Sequence, residues 1–280
     1  MHPDLNLSAR LAGDFRMMGI VNVTPDSFSD AGRFFDPAAA VEHGLALQAE
    51  GATILDVGGE STRPGADPVE ADEESRRVLP VIEALVAAGV SAQISVDTMK
   101  AEVAQRALAA GATLVNDVTA LRAAPELAEL TAAAGAELCL MHMQSPPNQP
   151  PAPRRYDDIV AEVKSFLEER MAFAVAHGVP EERIILDPGF GGGSFGKDAA
   201  QNLELLRRLP ELVALGRPIL VGTSRKGFLG DLTGRPVDQR LAATIATNVI
   251  AYGNGARIFR VHDVAPLCDA LTVTAATLAV

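Results

Sequence analysis

The chain alternates eight short apolar segments with eight longer segments of helical period, and this alternation limits its fold more than any other feature. The apolar segments are almost continuously hydrophobic, which is typical of strands in a parallel sheet that helices cover on its outer side. We predict strands at Arg16–Val23, Thr53–Val57, Gln93–Val96, Leu114–Asp117, Glu137–His142, Arg183–Asp187, Ile219–Gly222 and Arg257–Val261.

The segments between these strands are predicted to be helices. Gly51, Gly89 and Gly111 each follow a helical segment and precede a strand, the usual position of a glycine that ends a helix. The predicted helices are Pro37–Glu50, Pro68–Ala88, Lys100–Ala110, Pro125–Ala134, Tyr156–His177, Asn202–Leu215, Val237–Tyr252 and Val264–Leu278.

Eight strand-then-helix units without a break in composition predict an α/β fold, a single (β/α)8 TIM barrel. We assign all 280 residues to this one domain, with residues 1–15 as an N-terminal extension. A doubly wound open sheet is the alternative, but the Gly-rich dinucleotide fingerprint is missing after the first strand.

The charge balance and the apolar runs restrict the partners. Asp and Glu outnumber Lys and Arg by 36 to 24, a formal net charge of −12, so we expect no nucleic acid partner. The apolar runs are short of a membrane span and the N-terminus does not resemble a signal peptide, so we expect no membrane partner. Cys139 and Cys268 lack metal-ligand spacing, which favours buried thiols in a reducing cytoplasm.

Polar side chains follow nearly every predicted strand at its C-terminal end, where TIM barrels carry their reactive groups. These residues are Asn22, Asp56, Asp97, Asn116, Asp117, His142, Asp187, Ser224, Arg225, Lys226, Arg260 and His262. Each one alone has a structural explanation, since an Asp can cap the next helix and a His can be a core imidazole with its hydrogen bonds satisfied. Structural roles do not explain why acids, amides and cations converge on one rim, and we interpret that rim as an active site.

Three of these residues are compact hydrogen-bond acceptors. Asp97, Asn116 and Asp187 suit a fused heterocycle with an amidine-like N–H edge, because a carboxylate meets two such donors in short, charge-assisted bonds. An anionic substrate would need a local cation cluster or a metal ion.

A second set supplies such groups. Asn22, Arg260 and His262 suit polyanionic oxygens and a hard cation such as Mg²⁺, which prefers oxygen ligands. Lys226 adds a point charge, whereas Arg63 and Arg225 add planar forks for carboxylate or phosphate.

Eight motifs resemble those of the dihydropteroate synthases, in that family's order, from about Met18 to the end of the chain. They are MGIVNVTPDSFSD at Met18–Asp30, LDVGGESTRPG at Leu55–Gly65, SVDT at Ser95–Thr98, VNDV at Val115–Val118, LMHM at Leu140–Met143, LDPGFG at Leu186–Gly191, VGTSRKGFLG at Val221–Gly230 and RVH at Arg260–His262. Long motifs at matched spacing are much more specific than a single Gly-rich pattern.

The resemblance implies a pterin-binding TIM barrel, a homodimer and small-molecule substrates. The implied reaction is the Mg²⁺-dependent condensation of (7,8-dihydropterin-6-yl)methyl diphosphate with 4-aminobenzoate, which releases pyrophosphate and belongs to folate biosynthesis. The family is also the target class of sulfonamides. An arylamine is neutral at pH 7, so we expect no general base, and we expect pyrophosphate to depart before the amine attacks.

Carried over position by position, the resemblance assigns the site residues. Catalytic roles fall to Asp97, Lys226, Arg260 and His262. The pterin would bind Asp97, Asn116, Asp187 and Lys226. The diphosphate would bind Asn22, Thr62, Arg260 and His262, with Asn22 also the Mg²⁺ ligand. The 4-aminobenzoate would bind Phe28, Thr62, Arg63, Pro64, Phe190 and Ser224.

One segment departs from the family pattern. Members of the family usually read DPGFGFGK, whereas this chain reads DPGFGGGSFGK from Asp187 to Lys197. Three extra small residues thus separate Phe190 from Phe195. Either ring could lie near 4-aminobenzoate, and the choice between Phe190 and Phe195 stays open.

Three other functions are compatible with parts of the pattern. A methyltetrahydrofolate-dependent methyltransferase shares the pterin acids but should lack the GESTRPG and SRK segments. A non-catalytic pterin-binding paralogue would not have to keep every residue of the proposed site. The set is intact in this chain, which argues against such a paralogue: Arg63, Ser224, Lys226, Arg260 and His262. A general phosphate-binding barrel leaves Asp97 and Asp187 without a purpose.

Overall fold

The computed structural model describes residues 15–24, 37–61, 67–145 and 156–279. Within them, eight strands form one parallel sheet in the order β6-β5-β4-β3-β2-β1-β8-β7. The strands are β1 Arg16–Asn22, β2 Ile54–Gly58, β3 Gln93–Asp97, β4 Leu114–Asp117, β5 Glu137–Met141, β6 Ile184–Asp187, β7 Leu220–Val221 and β8 Ile258–Val261. Each lies within one or two residues of its prediction. The predicted N-terminal extension lies outside the described residues, apart from Phe15.

The two edge strands of this sheet approach each other and nearly close it into a barrel. Ile219, just before β7, forms a parallel bridge with Leu186 of β6. The Leu186 N–H also donates to the Pro218 carbonyl oxygen at 3.0 Å. The predicted (β/α)8 TIM barrel is therefore confirmed.

Ten helices follow in the described part of the chain. They are α1 Pro37–Ala49, α2 Ala71–Ala87, α3 Ala101–Ala109, α4 Leu127–Ala134, α5 Ile159–Ala176, α6 Ala199–Arg207, α7 Pro210–Val213, α8 Gly227–Thr233, α9 Leu241–Gly253 and α10 Val264–Leu278. None of the helices in the ranges given above is long and apolar enough to cross a membrane.

One helix prediction was wrong in its extent, and one helix was not predicted. The predicted helix Asn202–Leu215 is two helices, α6 and α7, and Pro210 occupies the first turn of α7. Proline lacks the N–H that a continuous helix would need there, so the chain restarts at that residue. Helix α8 was missed because Gly227 and Gly230 lower the helix propensity of its seven residues.

The middle of the barrel is filled by an apolar layer. Seven fully buried side chains, one from every strand except β3, form this cluster: Met18, Ile54, Leu114, Cys139, Ile185, Leu220 and Ile258. Such interdigitating layers make a TIM barrel a packed core, not a pore. A larger cluster packs the outer face of the sheet against the helices.

A polar group fills the N-terminal end of the barrel, below this layer. Arg16 of β1 forms a two-pronged ion pair with Glu137 of β5, with N–O distances of 2.8 and 3.0 Å, and also donates to Gln93 of β3. Burial acts to raise the pKa of Glu137, but the hydrogen bonds and charge of Arg16 outweigh it and lower the pKa. The folded state therefore favours the ionised carboxylate.

We predict that Glu137→Gln lowers the free energy of unfolding at pH 7 by about 1–2 kcal/mol, because it removes a hydrogen-bonded charge from a half-buried guanidinium. The stability that Glu137 contributes is present above its ordinary pKa of 4.5 and lost as the pH falls through its lowered folded-state pKa, so the difference should shrink in acid. Urea unfolding at several pH values measures this. Arg76→Ala, which removes an exposed ion pair with Glu73, is the control and should change stability by less than about 0.5 kcal/mol. Equal stability of Glu137→Gln and the unmodified chain at pH 7 would refute a structural role for the pair.

Candidate active site

The C-terminal end of the barrel carries a polar layer instead of an apolar one. The parallel register places Asp56 of β2 beside Ser95 of β3 and Asp97 of β3 beside Asn116 of β4. Arg260 of β8 projects into the same end of the barrel. Side chains alternate along each strand, so these residues share the barrel interior with the apolar layer below them.

Arg260 is the centre of this layer. Its Nε donates to Asp56 at 2.6 Å and its Nη2 donates to Asp97 at 2.7 Å. A planar guanidinium fork is the side chain suited to joining two carboxylates in this way. One predicted heterocycle acid, Asp97, is therefore in direct contact with the predicted diphosphate cation Arg260, which brings the two predicted sets together at this end of the barrel.

Asp56 was named by the sequence pattern but given no role. It is fully buried, and its carboxylate accepts from Ser95 Oγ at 2.6 Å, from Asn116 Nδ2 at 3.0 Å and from Arg260. These three bonds compensate the cost of removing the charge from water. The available signal was an Asp inside an otherwise apolar strand, ILDVG.

The two predicted heterocycle acids both have raised pKa values. Burial raises the pKa of Asp97 to about 7, and the neighbouring charges of Asp56, Glu74 and Asp117 add to it while Arg260 opposes it. Burial likewise raises the pKa of Asp187 to about 6, against the bond from the Gly189 N–H and the charges of lysines. Raised carboxyl pKa values in a recessed site are typical of functional groups.

Ser224 and His262 meet at the ends of β7 and β8. Ser224 Oγ lies 2.9 Å from His262 Nδ1 and accepts from the His262 backbone N–H at 3.2 Å. These residues were assigned to different substrates, and the structure makes them direct neighbours. A ligand group that reaches one of them therefore lies close to the other.

Arg225 does not present the free fork that the sequence suggested. Its Nε and Nη2 donate to the two carboxylate oxygens of Asp263 at 3.0 and 2.5 Å. Its φ of 55° is in the left-handed region, which is strained for a residue with a side chain. Arg225 thus fixes the turn between Ser224 and Lys226, and we correct its role from ligand contact to support.

The structure distinguishes the two rings that the sequence left open for 4-aminobenzoate by their burial. Phe190 is 1% exposed and packs in the large hydrophobic core between the sheet and the helices. Phe195 is half-buried, packs against Val118, Met141 and Met143, and has Lys226 Nζ 3.8 Å from its ring centroid. The extra residues in this loop place Phe195 at the rim.

Two further residues lie behind this loop. His142, for which a core role was the plain alternative, is buried, and its Nδ1 lies 3.0 Å from the ammonium nitrogen of Lys197. Lys197 itself is 3% exposed and was not recognised from the sequence as a site residue. A lysine buried this deeply is rare without a specific set of partners.

Some predicted residues fall outside the described part of the chain. Phe28, Thr62, Arg63 and Pro64 are among them, and their roles stay predictions. Across residues 15–24, 37–61, 67–145 and 156–279, no group of three or more His, Cys, Asp or Glu side chains is arranged to hold a metal ion.

Comparisons with known proteins agree with this geometry. The model of a family described as pterin binding enzymes matches residues 18–262. The dihydropteroate synthase of Mycobacterium leprae is 47% identical over 271 residues, which are 94% of this chain and 93% of that enzyme. A structure of the Xanthomonas albilineans dihydropteroate synthase with 4-aminobenzoic acid has a TM-score of 0.88 at 50% identity, covering 96% of this chain and 95% of that one. A second structure of that enzyme, with 7,8-dihydropteroate, has a TM-score of 0.85 at 48% identity, with the same coverage of both chains.

We predict that Asp97 makes the fold less stable as the pH rises. Its raised pKa means that the folded state holds a proton that the unfolded state releases above about pH 4, so stability falls until the pH passes the folded-state pKa. Asp97→Asn mimics the protonated form. Its stability relative to the unmodified chain should improve by about 2 kcal/mol between pH 5 and pH 7.5. Urea unfolding gives the free energy of unfolding of both proteins at the two pH values. Taking the difference between the proteins removes the contributions of the other titrating groups, which the two proteins share. A relative stability that does not vary with pH would show that Asp97 is not protonated in the folded state.

Proposed function

The chain belongs to the dihydropteroate synthases, within the pterin-binding enzymes, and on that premise we propose which of its residues carry out the reaction. It condenses (7,8-dihydropterin-6-yl)methyl diphosphate with 4-aminobenzoate to give 7,8-dihydropteroate and pyrophosphate, a step of folate biosynthesis. The family is a target of sulfonamide drugs. One observation carries the assignment of residues: Arg260, a predicted diphosphate cation, donates directly to Asp97, a predicted pterin acid.

The pterin head is proposed to bind the acceptors at the ends of β3, β4 and β6. Asp97 and Asp187 accept from the N–H edge of the ring, and Asn116 adds an amide group that Asp56 holds in place. Because both acids have raised pKa values, the N–H donors of the pterin supply part of the compensation that their burial requires. Lys226 lies at the same rim, and its positive charge acts to lower the pKa of Asp187.

The diphosphate is proposed to bind Arg260 and His262, with Thr62 from the segment outside the described residues. The bonds to Asp56 and Asp97 use two of the five guanidinium N–H donors of Arg260, and 22% of its side chain is exposed. When the N–H edge of the pterin donates to Asp97, it replaces the Nη2 N–H of Arg260 there. That N–H can then donate to a phosphate oxygen. Binding of the head and of the tail are thus coupled through one side chain.

The donor set at this end of the barrel fits a Mg²⁺ ion held mainly by substrate. Asn22 offers an amide oxygen from a half-buried position at the end of β1. Mg²⁺ in enzymes commonly takes one or two protein oxygens and fills its other positions with waters and phosphate oxygens, so a single amide ligand is compatible with it. When bound, the ion supplies Lewis-acid neutralisation of the leaving diphosphate.

The 4-aminobenzoate is proposed to lie between Phe195 and Ser224, with Phe28, Thr62, Arg63 and Pro64 supplied by segments outside the described residues. Ser224 Oγ and the adjacent Lys226 ammonium provide a donor and a positive charge for its carboxylate. Of the two rings that the sequence left open, Phe190 and Phe195, we propose Phe195, because it is the less buried one and lies beside Lys226.

We propose that the bond between the methylene carbon and the diphosphate oxygen breaks first, and that its electron pair leaves with pyrophosphate. The pterin ring delocalises the resulting positive charge, which Asp97 and Asp187 stabilise. Arg260 and His262 bind the leaving group, and both side chains are held in place before the reaction. The neutral amine then attacks the methylene carbon, the new C–N bond forms, and the amine loses its proton to solvent.

The assay that tests these roles combines purified protein, both substrates and Mg²⁺, and follows pyrophosphate release. We predict that Arg260→Lys lowers kcat/KM for the pterin substrate by about 100-fold or more, because lysine keeps the charge but loses the fork that joins Asp56, Asp97 and the diphosphate. This variant avoids leaving the buried Asp56 without a cation, as Arg260→Ala would.

Arg257→Lys is a matched control, since Arg257 precedes β8 at the opposite end of the barrel and stacks on Tyr252. It should keep the activity of the unmodified chain. Calorimetry supplies a second readout for Arg260→Lys, whose affinity for pyrophosphate should fall by about tenfold or more. If the affinity of Arg260→Lys for pyrophosphate equals that of the unmodified chain, the proposed role of Arg260 in binding the diphosphate is wrong.

The proposal also includes a cytoplasmic homodimer. Both cysteines are free thiols, as is usual in a reducing compartment. Helices α9 and α10 expose Ile250, Val273 and Leu278 with 50%, 67% and 65% of each residue accessible, and exposed apolar side chains of this kind favour an interface.

We predict that light scattering gives twice the monomer mass and that Val273→Glu shifts the protein toward monomer by burying a charge in the interface. Val86→Glu on α2, where the side chain is also exposed, is the control and should stay dimeric. A monomer mass for the unmodified chain at micromolar concentration would reject the dimer.

A further inference from the structure

We propose that Lys197 is a positioning residue for the aminobenzoate subsite: it fixes the loop between β6 and α6 so that Phe195 meets Lys226. This inference rests on the proposed place of 4-aminobenzoate between Phe195 and Ser224. Lys197 itself does not touch the reacting atoms. It acts through the loop that it holds.

Each of the three N–H donors of the Lys197 ammonium has an acceptor within hydrogen-bond distance. Its nitrogen lies 2.7 Å from the Gly189 carbonyl oxygen, 3.1 Å from the Phe195 carbonyl oxygen and 3.0 Å from His142 Nδ1. An ammonium has three N–H donors and no acceptor, so these three partners satisfy it completely. His142 then accepts at Nδ1, which places its own proton on Nε2.

The three partners come from two different parts of the chain. Gly189 and Phe195 belong to the loop after β6, whereas His142 follows β5 and is itself fixed. Its backbone N–H donates to the Asp187 carbonyl oxygen at 2.9 Å, and its ring meets Phe166 edge to face at 4.9 Å. Lys197 therefore connects the loop between β6 and α6 to the end of β5, which is held by the hydrogen bonds of the sheet.

The loop needs such an anchor because of its composition. Between Gly189 and Gly196 it contains five glycines, and four of them have positive φ. Glycine-rich chain loses much conformational entropy on ordering, so it stays in one shape only if specific bonds hold it. A side chain at Gly189 would also collide with the His142 carbonyl, because its Cβ would lie 1.9 Å from that oxygen. The loop thus lies directly against the end of β5.

The burial and charge of Lys197 are consistent with this role. Burial lowers its pKa to about 7, the nearby Lys226 adds to this, and the charge of Asp187 opposes it. Asn202 is a second anchor, because its Oδ1 accepts from the Gly191 N–H at 2.8 Å. Asn202 holds the middle of the loop, and Lys197 holds the two ends on either side of it.

What the anchor sets is the position of the Phe195 ring. The bond to the Phe195 carbonyl fixes that residue's backbone, and its ring lies under the Lys226 ammonium at 3.8 Å from the centroid. Loss of the anchor frees the ring and removes the aromatic partner of Lys226. Two pterin acceptors, Asp97 and Asn116, are on β3 and β4, away from this loop. The third, Asp187, accepts from the Gly189 N–H at the start of the loop, but it is the last residue of β6 and its backbone is held by that strand.

The test is steady-state kinetics of Lys197→Met, which keeps the length of the side chain but removes its three donors. We expect the KM for 4-aminobenzoate to rise about tenfold and the KM for the pterin diphosphate to change by less than about twofold. Phe195→Leu should show the same split. In the double variant the two effects should not add, because both act through one ring.

Lys164→Met on α5 is the matched control, since Lys164 is partly exposed on an outer helix. Assays run well below the melting temperature of each variant separate positioning from stability. If Lys197→Met does not fold, Lys197→Gln is used; its amide keeps only two of the three N–H donors, so the same split is expected with a smaller rise in the KM for 4-aminobenzoate.

Three results would overturn the inference: unchanged KM values, an equal rise of both, or additive effects in the double variant. Failure of the proposed function is distinguishable, because in that case the unmodified chain itself would release no pyrophosphate.

Discussion

The two-carboxylate contact of Arg260 is the interaction on which the rest of the site depends. Without the guanidinium, Asp56 would be a fully buried charge without a cationic partner, and three acids would repel one another at the mouth of the barrel. With it, Asp56 can in turn hold Ser95 and Asn116 in place. The contact thus fixes the geometry of the end where we propose that the pterin binds, and it includes Arg260, which we propose binds the diphosphate.

The groups that stabilise the fold and the groups of the candidate site lie at different levels along the barrel axis. An apolar layer fills the middle, and each end is closed by a charged group: Arg16 with Glu137 at the N-terminal end and Arg260 with its acids at the other. At the N-terminal end the pKa of Glu137 is lowered, so the ionised carboxylate stabilises the folded state. At the C-terminal end Asp97 and Asp187 have raised pKa values, so part of the stability is given up to keep acceptors ready for a ligand.

The sequence predicted this fold well because the patterns that encode it are local. Apolar runs and helical period placed all eight strands within two residues, and strand ends located most of the polar rim. The partners across the barrel could not be predicted. Arg260 meets Asp56 across 204 positions, and Asp263 occupies the fork of Arg225, and neither pairing is visible without the register of the sheet. Phe190 and Phe195 could not be distinguished because the loop path depends on the buried ammonium of Lys197.

The local charge of the site explains how a chain with a formal net charge of −12 takes anionic substrates. Among the described residues of the rim, the carboxylates of Asp56, Asp97 and Asp187 are balanced by the cations of Arg260, Lys226 and Lys197. Before substrate binds, these groups largely neutralise each other. A ligand with a donor-rich head and an anionic tail can satisfy both kinds of group at once, whereas an anion alone must compete with the acids for Arg260. Electrostatic selection of this kind favours the whole pterin diphosphate over free phosphates.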